Sequence, residues 1–284
     1  MEQKRPKRWA NDLTLLLNAR DGSERFPVDV RQLALDYSGQ VFPEDPISLI
    51  KGAELPGFEG ALQRAPDSEL GWGIFYNNEI SQSPGRINFT LAHEFGHYLV
   101  HRLSLPDGIQ CDAEDMVRWG SAYQVMEHEA NDFAATLLMP LDDFRRQIDD
   151  TTRPTLGDLS RCASRYNVSL IAATLRWLQY TRKRALLVKS SDGFVQWARS
   201  STRAFKTGAY IKTVGRPPIA VPITSPAADP DCPDGTGHVA SHPENSWLPE
   251  PCVEESFASQ RYDFRLSLLQ LEDDLRYVEG FREG

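Results

Sequence analysis

The chain of 284 residues has few cysteines and no long hydrophobic run. Its four cysteines, Cys111, Cys162, Cys232 and Cys252, are scattered, whereas small secreted proteins use closely spaced cysteines as a disulfide framework. Nowhere do about eighteen apolar residues follow one another, so we expect no membrane-spanning helix. The basic N-terminal segment has no apolar run behind it, so we expect no secretory signal there. These absences predict a cytoplasmic protein.

The chain also has no excess of positively charged residues, with 31 lysines and arginines against 40 aspartates and glutamates. The net charge is −9, which argues against a general affinity of the whole surface for nucleic acid. The sequence contains no internal repeat, and its aromatic content of 10% is ordinary for a globular protein. The length is sufficient for one large domain or two smaller ones, each with an apolar core.

Hydrophobic periodicity predicts an α+β fold. Two N-terminal helices are expected at "WANDLTLLLNAR" and at "PVDVRQLALDYSG", the second beginning at Pro27. A small sheet is expected next, with strands at "ISLIKGAEL", "FEGALQRA" and "GWGIFYN". Two long helices are then predicted at "FTLAHEFGHYLVH", with Thr90 as N-cap, and at "AYQVMEHEANDFAATLLMP". Shorter helical patterns continue to Tyr180.

The character of the sequence changes after Tyr180. "RALLVKS" and "GFVQWAR" are typical of strands around a Ser-Asp-Gly turn, and "YDFRLSLLQLE" alternates like another strand. The stretch from Pro217 to Pro251 holds nine of the nineteen prolines and is predicted to be a loop. We therefore predict two domains, residues 1–183 and a smaller, β-rich domain at residues 184–284.

The segment "FTLAHEFGHYLVH" places two histidines four residues apart. Residues i and i+4 share one face of a helix, so His93 and His97 can both present a ring nitrogen to one metal ion. Glu94 can reach a water at that ion without being a ligand itself. The alternative is two ordinary histidines that pack on a helix.

A catalytic zinc site needs a third protein ligand and an open fourth position. His101 lies eight residues past His93, about 12 Å along the helix axis, which favours an ordinary residue near the helix end. The next helix offers Glu127, on one face with Asn131, which is suited to hydrogen-bond a ligating histidine. We favour Glu127 on this face argument, and Glu129 is the alternative ligand.

These two motifs, together with "RYNVSLIAATLRWL", resemble the ImmA/IrrE family of bacterial metallopeptidases over about residues 25–185. The resemblance implies a zincin-like, gluzincin-like domain in which a small sheet and active-site helices precede a helical hairpin. It also implies zinc on His93, His97 and Glu127, with Glu94 as the catalytic base.

The resemblance further implies a regulatory activity. Family members of this kind cut a partner helix-turn-helix repressor and so switch on genes of stress response, phage defence or mobile elements. A second hypothesis is an antirepressor that binds and sequesters the repressor without cutting it. A general small-peptide peptidase is the third, and it would have no need of the C-terminal domain.

Cys111 lies between the two predicted metal-binding helices, in a connection without a regular pattern. A thiolate is a strong zinc ligand and would occupy the position that the catalytic water needs. One hypothesis is therefore that Cys111 caps the zinc in a resting state. The alternative is a small, partly buried loop residue.

The stretch from Arg176 to Lys212 is basic in an otherwise acidic chain, with nine cations against the single acid Asp192. Aromatic residues are interleaved with the cations, a composition typical of single-stranded nucleic-acid binding. The alternative is a solvated sheet face with its aromatic residues in the core. The candidate contacts to single-stranded DNA, as an activating signal, are Arg182, Lys183, Arg184 and Trp197.

Overall fold

The computed structural model contains two compact units built from helices and two sheets, and the predicted α+β fold is confirmed. One unit comprises Met1–Phe144 with Arg161–Ala172, and the other Arg145–Ser160 with Ala173–Gly284. In the described part of the chain, no helix is both long and apolar enough to cross a membrane. The structure describes residues 5–66, 71–78, 83–105, 108–112, 121–229, 235, 237–259 and 263–273.

The helices before residue 170 begin and end close to the predicted positions, with two corrections. Helix α2 begins at Val30 rather than Pro27, because the Asp29 side chain accepts the amide of Gln32 and caps the helix. The helix that carries His93 and His97 begins at Pro84, six residues before Thr90. A proline is tolerated in the first turn, because a backbone N–H at this position would have no partner within the helix. The helices are α1 Pro6–Asp21, α2 Val30–Val41, α3 Pro84–His101, α4 Ser121–Leu138, α5 Leu141–Gln147 and α6 Leu156–Tyr166.

The first sheet has four strands in the order β1-β3-β2-β4. Strands β1 and β3 are parallel, whereas β2 is antiparallel to both β3 and β4. The sequence did not predict β4, and Cys111 lies in this edge strand rather than in an irregular connection, paired with Gly60 of β2. The strands are β1 Ile47–Ala53, β2 Phe58–Arg64, β3 Trp72–Asn77 and β4 Gly108–Asp112.

Helices α3 and α4 approach each other closely because small residues line their contact. A Cβ atom at Gly96 would lie 2.9 Å from a ring carbon of Phe133, so α3 can carry only glycine there without a shift of that ring. On α4, Ala130 and Ala134 are fully buried. The short side chains place the two helices near enough for their polar residues to meet.

The second unit is built on a five-stranded antiparallel sheet in the order β6-β5-β9-β8-β7. The hairpin from β5 to β6 turns at Asp192 and Gly193, which both have positive φ, as the predicted Ser-Asp-Gly turn requires. The proline-rich stretch contains β7, which the sequence did not predict. The elements are α7 Leu170–Tyr180, β5 Ala185–Ser191, β6 Phe194–Ser200, α8 Thr202–Lys206, β7 Gly237–His242, β8 Cys252–Ser259 and β9 Phe264–Leu271.

A buried carboxylate joins strands β7, β8 and β9. Glu254 is fully buried and accepts hydrogen bonds from the hydroxyls of Ser225 and Ser267 and from the indole of Trp247, at 2.5–2.8 Å. Nε2 of His242 lies 2.8 Å from the same carboxylate. Because a buried carboxylate is tolerated only when it is well hydrogen-bonded, this network explains a glutamate in the core.

The domain boundary near residue 184 remains a prediction.

Candidate metal centre

Three potential ligand atoms converge where α3 packs on α4. Nε2 of His93 and Nε2 of His97 lie 2.9 Å apart, as one helical turn between them predicts. The two carboxylate oxygens of Glu127 lie 3.2 Å from these nitrogens, one from each. Glu127, and not Glu129, is therefore the acid that α4 brings to the two histidines.

This group of atoms fits a metal ion in spacing, burial and chemistry. His93, His97 and Glu127 each offer one ligand atom, all within 4.8 Å of one another. Bonds of roughly 2.0–2.1 Å in a tetrahedral site would hold neighbouring ligand atoms about 3.3 Å apart. Two imidazoles and one carboxylate are a donor set that zinc takes in catalytic sites. The three residues could hold a metal.

The electrostatics of the centre keep Glu127 ionised and His97 neutral, and favour the protonated form of His93 in the absence of a metal. At His97 burial dominates and lowers the pKa to about 4, so this imidazole is neutral near pH 7. At His93 burial acts in the same direction, but the hydrogen bond to Glu127 and the charges of Glu94 and Glu127 outweigh it and raise the pKa. Burial would raise the pKa of Glu127, but hydrogen bonds from both histidines lower it far below its ordinary value. The centre therefore holds a carboxylate and a neutral imidazole, the forms that bind metals.

Each histidine of the pair also has a partner at its second ring nitrogen. Nδ1 of His93 lies 3.1 Å from Oδ1 of Asn131, the contact predicted from the shared face of Glu127 and Asn131. Nδ1 of His97 lies 3.0 Å from Nδ1 of His101. Nε2 of His101 in turn lies 2.9 Å from Oε2 of Glu129. His101 was predicted to be an ordinary residue near the helix end, and this chain of contacts was not predicted.

The carboxylate of Glu94 lies at the inner face of the sheet and is fully buried. A Cβ atom placed on Gly60 of β2 would come within 2.5 Å of Oε1 of Glu94 and 2.6 Å of Cγ2 of Thr90. Glycine at residue 60 therefore leaves the space that the Glu94 carboxylate occupies. The requirement for glycine depends on how β2 packs against α3, and no sequence motif signals this packing.

Strand β3 is an interior strand. Strands β1 and β2 flank β3 on both sides, so β3, the stretch "GWGIFYN", offers no edge to an extended substrate. Among the described residues, β4 pairs with β2 alone and forms the edge on that side of the sheet. A segment added to the sheet near the centre would therefore lie along β4, the strand that contains Cys111.

Two of the three neighbouring cations proposed to contact nucleic acid are largely or fully withdrawn from solvent. The Arg184 side chain is 1% exposed and is held by both carboxylate oxygens of Glu250, at 2.5 and 2.7 Å. The ammonium of Lys183 lies 2.7 Å from Asp273. Because a buried, paired guanidinium cannot contact a phosphate without breaking its ion pair, Arg184 is corrected to a structural residue.

The other two proposed contacts are more accessible. Arg182 is paired with Asp150 at 2.9 Å, yet its side chain is mostly exposed. Trp197, on the edge strand β6, is half-buried. A contact of Arg182 or Trp197 with nucleic acid remains a prediction.

Residues 49–178 match the family model described as the IrrE N-terminal-like domain, peptidase M78. The chain carries an IrrE N-terminal-like domain. The matched range contains His93, Glu94, His97 and Glu127, and the resemblance to the ImmA/IrrE family is confirmed. The peptidase family, together with a residue group able to hold a metal, supports a metallopeptidase-like protein.

A comparison with solved structures covers a longer part of the chain than the family model does. The chain is similar to a Mycobacterium tuberculosis transcriptional regulator, with 14% sequence identity and a TM-score of 0.59. The alignment covers 93% of this chain and 76% of that chain. A comparison with curated proteins gave no match. At this level of identity, the likeness shows that the IrrE N-terminal-like domain and the C-terminal sheet share a fold with that protein.

Proposed function

We propose that this protein is a zinc-dependent endopeptidase that cuts a partner helix-turn-helix repressor in the cytoplasm. The observation that carries the proposal is the convergence of His93, His97 and Glu127 beside the buried carboxylate of Glu94. Three protein ligands leave a fourth position open, as catalytic zinc sites do. A structural zinc site would fill all four positions with protein ligands, and it would need no carboxylate beside them.

Each residue of the centre has a separate task in this proposal. His93, His97 and Glu127 hold the metal, and Asn131 orients His93 through its Nδ1. A bound zinc supplies Lewis-acid chemistry, which polarises a carbonyl group and lets water lose a proton near neutral pH. The Glu94 carboxylate accepts that proton and later delivers it to the leaving amine of the cut peptide.

The edge strand β4 is the surface that we assign to the substrate backbone. An extended segment can add to a free sheet edge through main-chain hydrogen bonds, whatever its side chains are. Strand β4 lies next to β2, and β2 contacts Glu94 at Gly60. A peptide along β4 would therefore pass close to the catalytic base.

The proposal of a repressor as substrate rests on the ImmA/IrrE resemblance and is supported by the Mycobacterium tuberculosis neighbour, which is named a transcriptional regulator. Its consequence is derepression of stress, defence or mobile-element genes. The test is co-expression with a helix-turn-helix protein encoded beside this gene. We expect a shorter repressor fragment with the wild-type protein and intact repressor with Glu94→Gln. If target genes are induced fully by Glu94→Gln while the repressor stays intact, the antirepressor hypothesis is correct instead.

For the resting state, we propose that Cys111 occupies the open metal position. The main chain of Cys111 pairs with Gly60, the residue against which Glu94 packs, so its backbone lies near the catalytic centre. A thiolate at the metal would exclude water from the position that catalysis needs. Because Cys111 lies in a paired edge strand, activation would require a shift of β4 rather than of a free loop.

A second activity, binding of single-stranded DNA, is favoured by a different surface from residues 182–184. Residues 193–228 contain five cations and no aspartate or glutamate, and we call them the acid-free segment. Phe205 and Tyr210 are 62% and 50% exposed, with ring centroids 5.4 Å apart. Exposed rings among cations suit a strand of stacked bases with its phosphates. The cations of the segment are Arg199, Arg203, Lys206, Lys212 and Arg216, and all five side chains are exposed.

A further inference from the structure

The contacts behind His97 form a line of three side chains that the catalytic proposal leaves without a role. His101 follows His97 by one helical turn on α3, and its side chain is 4% exposed. The two Nδ1 atoms lie 3.0 Å apart, and Nε2 of His101 lies 2.9 Å from Oε2 of Glu129 on α4. Both helices of the centre thus contribute to this line.

The hydrogen-bond roles along the line follow from the metal position. Nε2 of His97 faces His93 and Glu127, so this is the nitrogen that would give its lone pair to a bound metal. The single proton of a neutral His97 is then on Nδ1 and is donated to Nδ1 of His101. His101 accepts there only if its own proton is on Nε2, and that nitrogen faces the carboxylate of Glu129. Each donor in the line therefore meets an acceptor.

We propose that His101, supported by Glu129, is a positioning residue that fixes the tautomer and ring orientation of His97 at the metal. This inference rests on the proposed metal centre and adds to it a role for two residues outside the ligand set. A metal-bound histidine generally donates its second N–H to an acceptor, which orients the ring and raises its basicity as a ligand. Asn131 has this role for His93, so both histidine ligands are supported from behind.

The geometry also accounts for the choice between the two acids of α4. Glu127 and Glu129 lie on different flanks of the helix, and each reaches a histidine of α3. Glu127 contacts the metal-facing nitrogens, whereas Glu129 contacts His101 and is 38% exposed in its side chain. One acid thus serves as a ligand and the other supports a ligand.

The test measures metal binding, so it does not depend on finding the substrate. Zinc affinity of the full-length protein is measured by competition with a chelator, and cobalt is used as a spectroscopic probe. We expect His101→Leu to weaken zinc binding by about 10- to 100-fold and to alter the cobalt absorption bands. His101→Asn should recover most of this affinity, because its amide oxygen can stand near the position of Nδ1 and accept the His97 proton.

Two further variants distinguish a loss of support for His97 from a general loss of folding, because both change side chains that are at least partly exposed. Glu129→Gln changes a partly exposed side chain and removes only the charge behind His101, so we expect a smaller loss of affinity, about threefold to tenfold. The matched control is His128→Leu, an exposed histidine between Glu127 and Glu129 whose side chain points to solvent. It should bind zinc and cobalt as the wild type does.

The outcomes separate this inference from the proposed function. If the folded wild type binds no zinc, or if His97→Ala binds zinc normally, the metal centre itself is wrong. If wild type binds zinc and His97→Ala does not, the metal centre stands, and wild-type affinity with unchanged cobalt bands in both His101→Leu and Glu129→Gln would overturn the positioning role alone. An equal loss in His101→Asn and His101→Leu would also overturn it.

Discussion

Gly60 lies so close to Glu94 that a Cβ atom at residue 60 would be 2.5 Å from the glutamate Oε1. Gly60 does not have a positive φ, so its backbone would accept alanine without strain. The reason for glycine at this position is therefore the space that the carboxylate needs. Strand β2 thus sets the position of the proposed catalytic base from the sheet side.

Gly60→Ala should reduce cleavage while the metal remains bound. The added methyl group must displace the Glu94 carboxylate or the methyl of Thr90, and a displacement of about 1 Å from a catalytic position can lower the rate about 100-fold. Cleavage rate and zinc content are measured on the same preparation. Gly39→Ala is the matched control, because a Cβ there meets no atom within 4 Å. Normal cleavage by Gly60→Ala would remove the role assigned to this glycine.

Glu94→Gln should keep its zinc, fold normally and lose cleavage, because the change removes a base and leaves all three ligands. General-base catalysis typically contributes a factor of about 10²–10⁴ to a rate. Metal analysis, thermal unfolding and cleavage of the repressor together test this expectation. Loss of zinc from Glu94→Gln would instead make Glu94 part of the ligand set.

Cys111→Ser should raise basal cleavage in the absence of any activating signal, since a neutral hydroxyl is a far poorer zinc ligand than a thiolate. The maximal rate should change little, because the thiol has already left the metal in the active form. A crystal structure of the resting, zinc-loaded enzyme should place the sulfur about 2.3 Å from the metal. An unchanged basal rate, with the sulfur directed away from zinc, would leave Cys111 without a regulatory role.

Single-stranded oligonucleotides should bind to the acid-free segment with an affinity that falls as salt rises. Combined alanine substitution of Arg203, Lys206 and Lys212 should weaken binding and lower the salt slope by about 0.7 for each lost phosphate contact. The control is the double alanine variant of Arg8 and Lys51, two exposed cations outside this segment and outside the earlier candidate contacts. Binding that is insensitive to the triple change, or absent at low salt, would leave this segment as an ordinary surface.

The sequence predicted that His93, His97 and Glu127 come together, because the information for this cluster is local to two helices. The spacing of His93 and His97 places both on one face, and the face shared with Asn131 favoured Glu127 over Glu129. The contact of His101 with Glu129 depends on how α3 and α4 are rotated against each other. No pattern within one helix reports that rotation, so the support behind His97 was missed.

Two strands of the C-terminal sheet, β7 and β8, were not predicted, because they do not follow the usual alternation of buried apolar and exposed polar residues. In β8 the buried positions include Glu254 and Ser256, whereas Val253 is exposed. At these three positions of β8 the hydropathy pattern is therefore the reverse of the burial pattern. Strand β7 is an edge strand with mostly exposed residues, including Val239. Hydrophobic periodicity carries no signal in such strands.

The zinc content of the purified protein and its ligand variants tests the proposed metal centre most directly. We expect about one zinc per chain in the wild type and none in His93→Ala or His97→Ala, because two remaining protein ligands hold the ion too weakly. Glu127→Ala should lose its zinc, whereas Glu129→Ala, which removes support but no ligand, should retain most of it. Full zinc content in a folded His97→Ala variant would contradict the metal centre, and so would a greater loss from Glu129→Ala than from Glu127→Ala.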